Sequence, residues 1–490
     1  MSKALHLENI AKAQAEIEAK RPLAGKGKMR QRYHFMGEEG WINDPNGLIF
    51  FRGKYHFFYQ FNPYDSFWGA MHWGHAVSDD MLHWEYLPVA LAPSEYYDNH
   101  REGGCFSGSA IEHEGKLYLF YTGTTNYGDG FVQTQCMAVS RDGIHFEKYK
   151  GNPIIEPPDG VAKDNFRDPK VWEHEGSFYM VCGAKQDNLA KALLYRSGDL
   201  EHWEFVNVLA ESRGEFGYMF ECPDFYPLGD KHVLMFSPMG AHERTCVYLV
   251  GDMDYERGKF CYTTMGEIDW GFDFYAPQSF LDAKGRRLIV GWANAWDWMP
   301  WWKDWGPTYK EGWCGAFNIP REVRLMPDNT LQFVPIEEVI SLRYDEDERS
   351  GVSVFGEAVD ITGGDGVAYE VKLVLDLERS TAERVLFHLR CGEGKETVVC
   401  LDLKRGEMTF DRSNGDGWSQ GCSRSPLNLK GKRELDIHIL ADQSSIEVFA
   451  GQYQTNHSCN VFASSAQNGN WVSAEGGRAE FKSIRTWGLR

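Results

Sequence analysis

Residues 54–61, KYHFFYQF, form a dense aromatic and apolar run entered through one lysine. The pattern returns as KLYLFYTG at 116–123, SFYMVCGA at 177–184, KHVLMFSP at 231–238 and RLIVGWAN at 287–294. The intervals are 62, 61, 54 and 56 residues. A second signature follows three of these runs in step: SDDMLHWE from Ser78, SRDGIHFE from Ser140 and SGDLEHWE from Ser197. Each unit then holds an entry strand, the strong apolar strand, a third strand, a turn and an outer strand. Five such units predict an all-β chain built on a five-bladed β-propeller. A single large β-sandwich does not require two motifs to repeat in phase.

The composition changes after Pro320. VPIEEVISLRYDEDERSG (334–351) reads as a short helix and then a charge run. Beyond it, AYEVKLVLDLE, RVLFHLRC, TVVCLDLK and ELDIHILADQSSIEVFA alternate as short strands between turn residues, which predicts a C-terminal β-sandwich. Before the repeats, residues 1–23 read as one short N-terminal helix with Leu5, Ile10, Ala13 and Ile17 on its apolar face. The expected division is a helical extension over 1–32, the propeller over 33–335, a linker over 336–350 and the sandwich over 351–490.

With 490 residues, 42% of them apolar and 14% aromatic, the chain has material for two sizeable cores. Its net charge of −20 repels phosphate backbones and argues against a nucleic-acid partner. Glu8, Lys12, Glu16 and Glu18 interrupt any signal-peptide core, and no run is long enough to span a membrane. Eleven dispersed cysteines without a C-x-x-C pair suit reduced thiols. The expected location is therefore cytoplasmic, with no membrane partner. His72 and His75 have metal-ligand spacing but no third ligand cluster, so no metal and no cofactor is expected. A homo-oligomer is compatible with the sequence.

Asn43, Asp44, Pro45, Asn46 and Gly47 precede the first apolar run, and turn chemistry alone accounts for such residues. Counting back from each run, however, finds a polar residue at the same offset, within one, five times: Asp44, Ser107, Asp168, Glu221 and Gln278. Around a propeller channel, equivalent positions meet. Three carboxylates, Asp44, Asp168 and Glu221, are thus expected at one pocket, where their mutual repulsion implies function. Two acids flanking a glycosidic bond are the machinery of a glycosidase. One attacks or activates water, and the other protonates the leaving oxygen. Trp41, Trp68, Trp73, Trp292 and Trp313 are candidate sugar platforms, and the cluster WDWMPWWKDWG from Trp296 is too aromatic for an ordinary loop.

WINDPNG, FSGS, FRDPK, FECPDF and DFYAPQ, in this order, resemble glycoside hydrolase family 32 over residues 33–335, with the expected sandwich behind them. The resemblance implies a β-fructofuranosidase acting with retention, in the manner of invertases, sucrose-6-phosphate hydrolases, inulinases and levanases. It implies that Asp44 is the nucleophile, Glu221 the general acid and base, and Asp168 a holder of fructose hydroxyls. Asn43, Gln60, Trp68, Ser107 and Arg167 match positions lining the fructose pocket, and Tyr275 and Trp292 are expected to border it. Ile42 stands where the family often has methionine, an apolar exchange without consequence. The expected partner is a small sugar: sucrose, sucrose 6-phosphate or a short fructo-oligosaccharide. Arg101, His242, Arg244, Lys303 and Lys310 are rim candidates for a phosphate. A fructosyltransferase would use the same acids, and a noncatalytic sugar-binding propeller would be expected to have lost at least one.

Overall fold

A computed structural model describes residues 2–241, 244–296 and 306–490. His242, Lys303 and most of the tryptophan cluster after Trp296 lie outside the described residues. The chain forms five successive sheets and then two larger ones. Each of the first five is an antiparallel meander of four strands, and the first carries a fifth, short strand. The five repeated apolar runs all lie in the second strand of their sheet: Lys54–Asn62, Lys116–Asn126, Ser177–Gln186, Lys231–Met239 and Arg287–Trp292. Their near-continuous burial explains why they read as solid apolar runs rather than alternating ones.

The first strands of the five sheets are Gly40–Phe51, Gly104–His113, Val161–His174, Met219–Leu228 and Tyr275–Leu281. Each touches the next, and the fifth touches the first, so they close a ring. Every one is bulged, between Ile42 and Pro45, Phe106 and Gly108, Arg167 and Lys170, Glu221 and Asp224, and Tyr275 and Gln278. A bulge inserts an unpaired residue and re-aims its neighbours. Asp168, Cys222 and Ala276 occupy it in the left-handed region at φ 66°, 47° and 49°, each just before a proline.

This register corrects the count made from the sequence. Aligned on the bulge proline, Asp44 and Asp168 are equivalent to Cys222 and Ala276, whereas Glu221 lies one residue earlier, level with Arg167 and Tyr275. Gln278 falls level with Lys170 and Asp224. The first strand has a second bulge between Asn46 and Ile49, and the turn after Leu281 is longer than those after His174 and Leu228, so the offset from proline to apolar run differs between sheets, which counting along the chain does not detect.

The SDDMLHWE-type signatures are three copies of one turn. In the first, Ser78 Oγ accepts from the amide of Met81, while Asp80 accepts from the amides of Leu82 and His83 and from His83 Nδ1. Ser140, Asp142 and His145 repeat the arrangement, as do Ser197, Asp199 and His202.

The helix Ser2–Ala24 buries Ala13 and Ile17, with Ile10 packed partly against the same core. The linker expected over 336–350 is different in the structure. Glu337–Leu342 is a 3-10 turn, and Arg343–Val354 is already a strand paired with Ala479–Leu489. It is an edge strand, so the charges of Asp345, Glu346 and Glu348 remain in solvent. The two last sheets have six strands each and enclose one apolar cluster that includes Val371, Phe387, Val399 and Ile437, as a sandwich does. Among the described residues no helix is long and apolar enough to cross a membrane.

Candidate active site

Asp44, Asp168 and Glu221 arrive from the first, third and fourth inner strands and line one cavity of about 520 Å³. Asp44 Oδ2 accepts a hydrogen bond from Ser107 Oγ at 2.5 Å and faces the Cys222 thiol at 3.6 Å. Its other oxygen, Oδ1, has no hydrogen-bond partner. Glu221 is clasped from two sides. Arg167 Nη2 donates to Oε1 at 2.9 Å, and the Tyr275 hydroxyl donates to Oε2 at 2.5 Å. Asp168 Oδ2 accepts from the Cys222 amide at 2.9 Å and lies 3.7 Å from Arg167 Nε. The bulges thus serve the site twice: they aim the acids inward and free a backbone N–H to meet one of them.

Enclosure and crowding disfavour the charged forms of Asp44 and Asp168. Enclosure, and then the nearby Glu221, push Asp44 up to about 6 against the hydrogen bond from Ser107. Enclosure pushes Asp168 up to about 7; Arg167 opposes this, and Glu221 and Asp44 add to it.

Behind Glu221 a relay fixes Arg167. Gln133 Oε1 accepts from Arg167 Nη1 at 3.2 Å and from the Phe166 amide at 3.0 Å, and Asn165 Oδ1 accepts from the same Nη1 at 3.3 Å. Two acids lining one cavity, one with an unengaged oxygen and one held by a cation and a phenol, can perform a double displacement at an anomeric carbon.

The profile "Glycosyl hydrolases family 32 N-terminal domain" matches residues 34–335, and "Glycosyl hydrolases family 32 C terminal" matches residues 338–488. The chain belongs to glycosyl hydrolase family 32. It is accordingly a glycoside hydrolase. A sucrose-6-phosphate hydrolase from Zymomonas mobilis is 37% identical over 487 residues, 94% of this chain and 92% of the relative. A raffinose invertase from Escherichia coli is 39% identical over 445 residues, 88% of this chain and 89% of the relative. Among solved structures, a family 32 β-fructofuranosidase from Bombyx mori superposes with a TM-score of 0.81 at 32% identity, covering 98% of each chain.

Most residues expected of a family 32 site meet at the cavity. Asn43, Gln60, Trp68, Ser107 and Arg167 line it with the three acids. Asn43 is oriented by Trp41 Nε1, and Gln60 Nε2 donates to the Cys105 carbonyl. Tyr275 stands behind Glu221 rather than on the wall. Trp292 does not border the space at all. It is fully buried, edge-on to Trp41 at 5.9 Å and tilted against Trp296 at 4.5 Å. Trp41, Trp73 and Trp313 are core residues too, so the aromatic wall is Trp68, Phe106, Phe131 and Trp296. His72 and His75 are buried with other work: the first ring bonds the Ala70 carbonyl, and the second stacks on Phe58 and meets His56. Among the described residues no group of three His, Cys, Asp or Glu is placed to hold a metal ion.

Sequence reasoning missed Gln133, Thr124, Glu102 and Asp164, all on the cavity wall. Gln133 left a signal: FVQTQCMAV (131–139) carries two glutamines and a threonine in a strand that is otherwise largely apolar. The two acids left none, since each adjoins a basic residue as ordinary surface charges do.

Proposed function

We propose that this hydrolase is a retaining β-fructofuranosidase that removes the terminal fructosyl unit of sucrose, sucrose 6-phosphate or short fructo-oligosaccharides. The observation that carries the reading is the pairing of Asp44, with Oδ1 unengaged, and Glu221, clasped by Arg167 and Tyr275, across one cavity. Asp44 attacks C2 of the fructosyl unit while the bond from C2 to the leaving oxygen breaks. Glu221 gives that oxygen its proton. Water then attacks C2, Glu221 takes the water's proton, and Asp44 is released. Asp168 holds fructose hydroxyls and faces the charge that develops on the ring. Asn43, Gln60, Trp68, Ser107 and Arg167 shape the pocket.

In this reading the five sheets are blades of a five-bladed β-propeller over 33–335, with the cavity at one end of the channel, and 351–490 is the appended sandwich. The closed ring of inner strands supports it. Relatives named for sucrose 6-phosphate and raffinose, and the Bombyx mori enzyme solved with sucrose, support the substrate class. The exposed free thiols of Cys261 and Cys422 suit a reducing cytoplasm.

Incubation with sucrose should release equal glucose and fructose, with β-fructofuranose as the first fructose anomer by NMR. Free glucose in large excess over fructose would instead mark a fructosyltransferase. Asp44→Ala should abolish turnover on every donor. Glu221→Ala should lose about 10²–10⁴ in rate on sucrose, lose far less on a donor with a good leaving group, and be rescued there by azide. Azide rescue of Asp44→Ala with retained product would reverse the roles.

A further inference from the structure

The acids of the cavity extend past its floor. Glu102 and Asp164 also line it, and both are exposed where the others are covered, so they stand at its mouth. They come from different sheets. Asp164 lies on the third inner strand, three residues before Arg167. Glu102 ends a loop that is firmly tied down. Asp98 Oδ1 accepts from the amides of Ser94 and Glu95, and its Oδ2 holds the buried Lys148 ammonium at 2.6 Å. The His100 ring then rests edge-on against Phe131 at 5.3 Å.

Among the described residues, few cations accompany these acids. Arg167 is the only cation among the described wall residues, and Glu221 and Asp168 already occupy it. Arg101 is off the wall and pairs with Glu102 at 3.4 Å. Arg244 pairs with Glu267 and lies over Phe216, and Lys310 lies over Trp418. Among the described wall residues there are therefore five carboxyl groups and one guanidinium, in a chain of net charge −20. A cleft whose exposed rim carries mostly one sign of charge concentrates its field there.

We infer that this mouth selects an uncharged leaving sugar, with Glu102 and Asp164 as the specificity-determining residues. The inference rests on the fructosidase reading above. With fructose seated against Asp44, the glucosyl part lies outward, past Glu221. A phosphate on that sugar brings its negative charge to the two mouth acids. Sucrose brings none. Sucrose is then the better substrate, and sucrose 6-phosphate the poorer one, although relatives are named for the latter.

The test is kcat/KM for sucrose and for sucrose 6-phosphate at about 20 mM and about 500 mM salt, where screening differs strongly. The expected result is a preference for sucrose of about tenfold at low salt that narrows several-fold at high salt. In the Glu102→Gln, Asp164→Asn double variant the low-salt preference should narrow as well. Both side chains are exposed, so folding is not at stake, and the salt series on the unaltered enzyme is independent of the variant. Equal or better use of sucrose 6-phosphate at low salt overturns the inference and leaves the fructosidase reading standing. So does a preference for sucrose that neither salt nor the substitutions move. Failure to release fructose from either sugar overturns the fructosidase reading itself, and this inference with it.

Discussion

The Asp44 carboxyl must be ionised to attack, yet enclosure and Glu221 push it up to about 6, and only hydrogen bonds led by the one from Ser107 pull it down. The consequence is an acid limb. Below about pH 6, kcat/KM should fall about tenfold per pH unit as Asp44 takes up its proton, shared with the coupled Asp168. Ser107→Ala deletes the leading hydrogen bond to the charged form, so the limb should move to higher pH; a limb that stays in place removes Ser107 from this role. Asp168 carries the complementary cost. Its folded-state value, near 7, lies above the ordinary 3.8, so the folded chain holds this proton more tightly than the unfolded one. Stability from that proton is present below about pH 4 and lost as pH rises through about 7. Asp168→Asn should therefore raise Tm most at pH 8, less at pH 5, and cost activity at both. A uniform Tm change at the two pH values would contradict the sign. These acids were legible in the sequence because their spacing repeats. Trp292 was not, because what encloses it, Trp41 and Trp296, includes a residue some 250 positions away.

At the scale of elements, the recurring turn shows what a repeated motif encodes. The second strands were legible because burial on both faces leaves a solid apolar run. The turn was legible because its serine, aspartate and histidine each have a fixed bond to make. Where no bond repeats, legibility ends: the fourth and fifth sheets lack the signature, and the edge strand Arg343–Val354 reads as a charged linker because its side chains stay in solvent. The turn also permits strain. Met81 and Leu200 adopt φ 65° and 68°, where Gly143 in the second copy does so freely. Ser197 Oγ accepts from the amide of the buried Leu200 at 2.9 Å. Ser197→Ala leaves that N–H unsatisfied and should cost about 1–3 kcal/mol, read from the urea midpoint. A change within about 0.5 kcal/mol would mean that water satisfies the amide instead.

At the scale of the whole molecule, the two halves are fastened by a buried charge network. His34, just before the first inner strand, holds Asp442 through Nδ1 and Glu447 through Nε2, each at 2.9 Å. Arg321, from the fifth sheet, reaches Glu447 and Asp269. Burial opposes a charge on His34, but Asp442 and Glu447 outweigh it and lift the ring to about 9. A raised histidine stabilises fully below about 6.5 and progressively less as pH rises through about 9. His34→Ala strands two buried carboxylates beside Arg321 and should cost about 3–5 kcal/mol at pH 7. The deficit should shrink above pH 9, where the wild type has lost the same charge. A deficit that does not change with pH would assign the loss to packing alone. The ring itself has a further consequence. Trp313–Cys314, from the connection between the second and third strands of the fifth sheet, adds to Gly40–Trp41 as a parallel strand. A chain stitched in this way has no terminal repeat from which to fray. Amide hydrogens on all five inner strands should then exchange with deuterium only through one global opening, at a single common free energy, rather than in a ladder descending from one end.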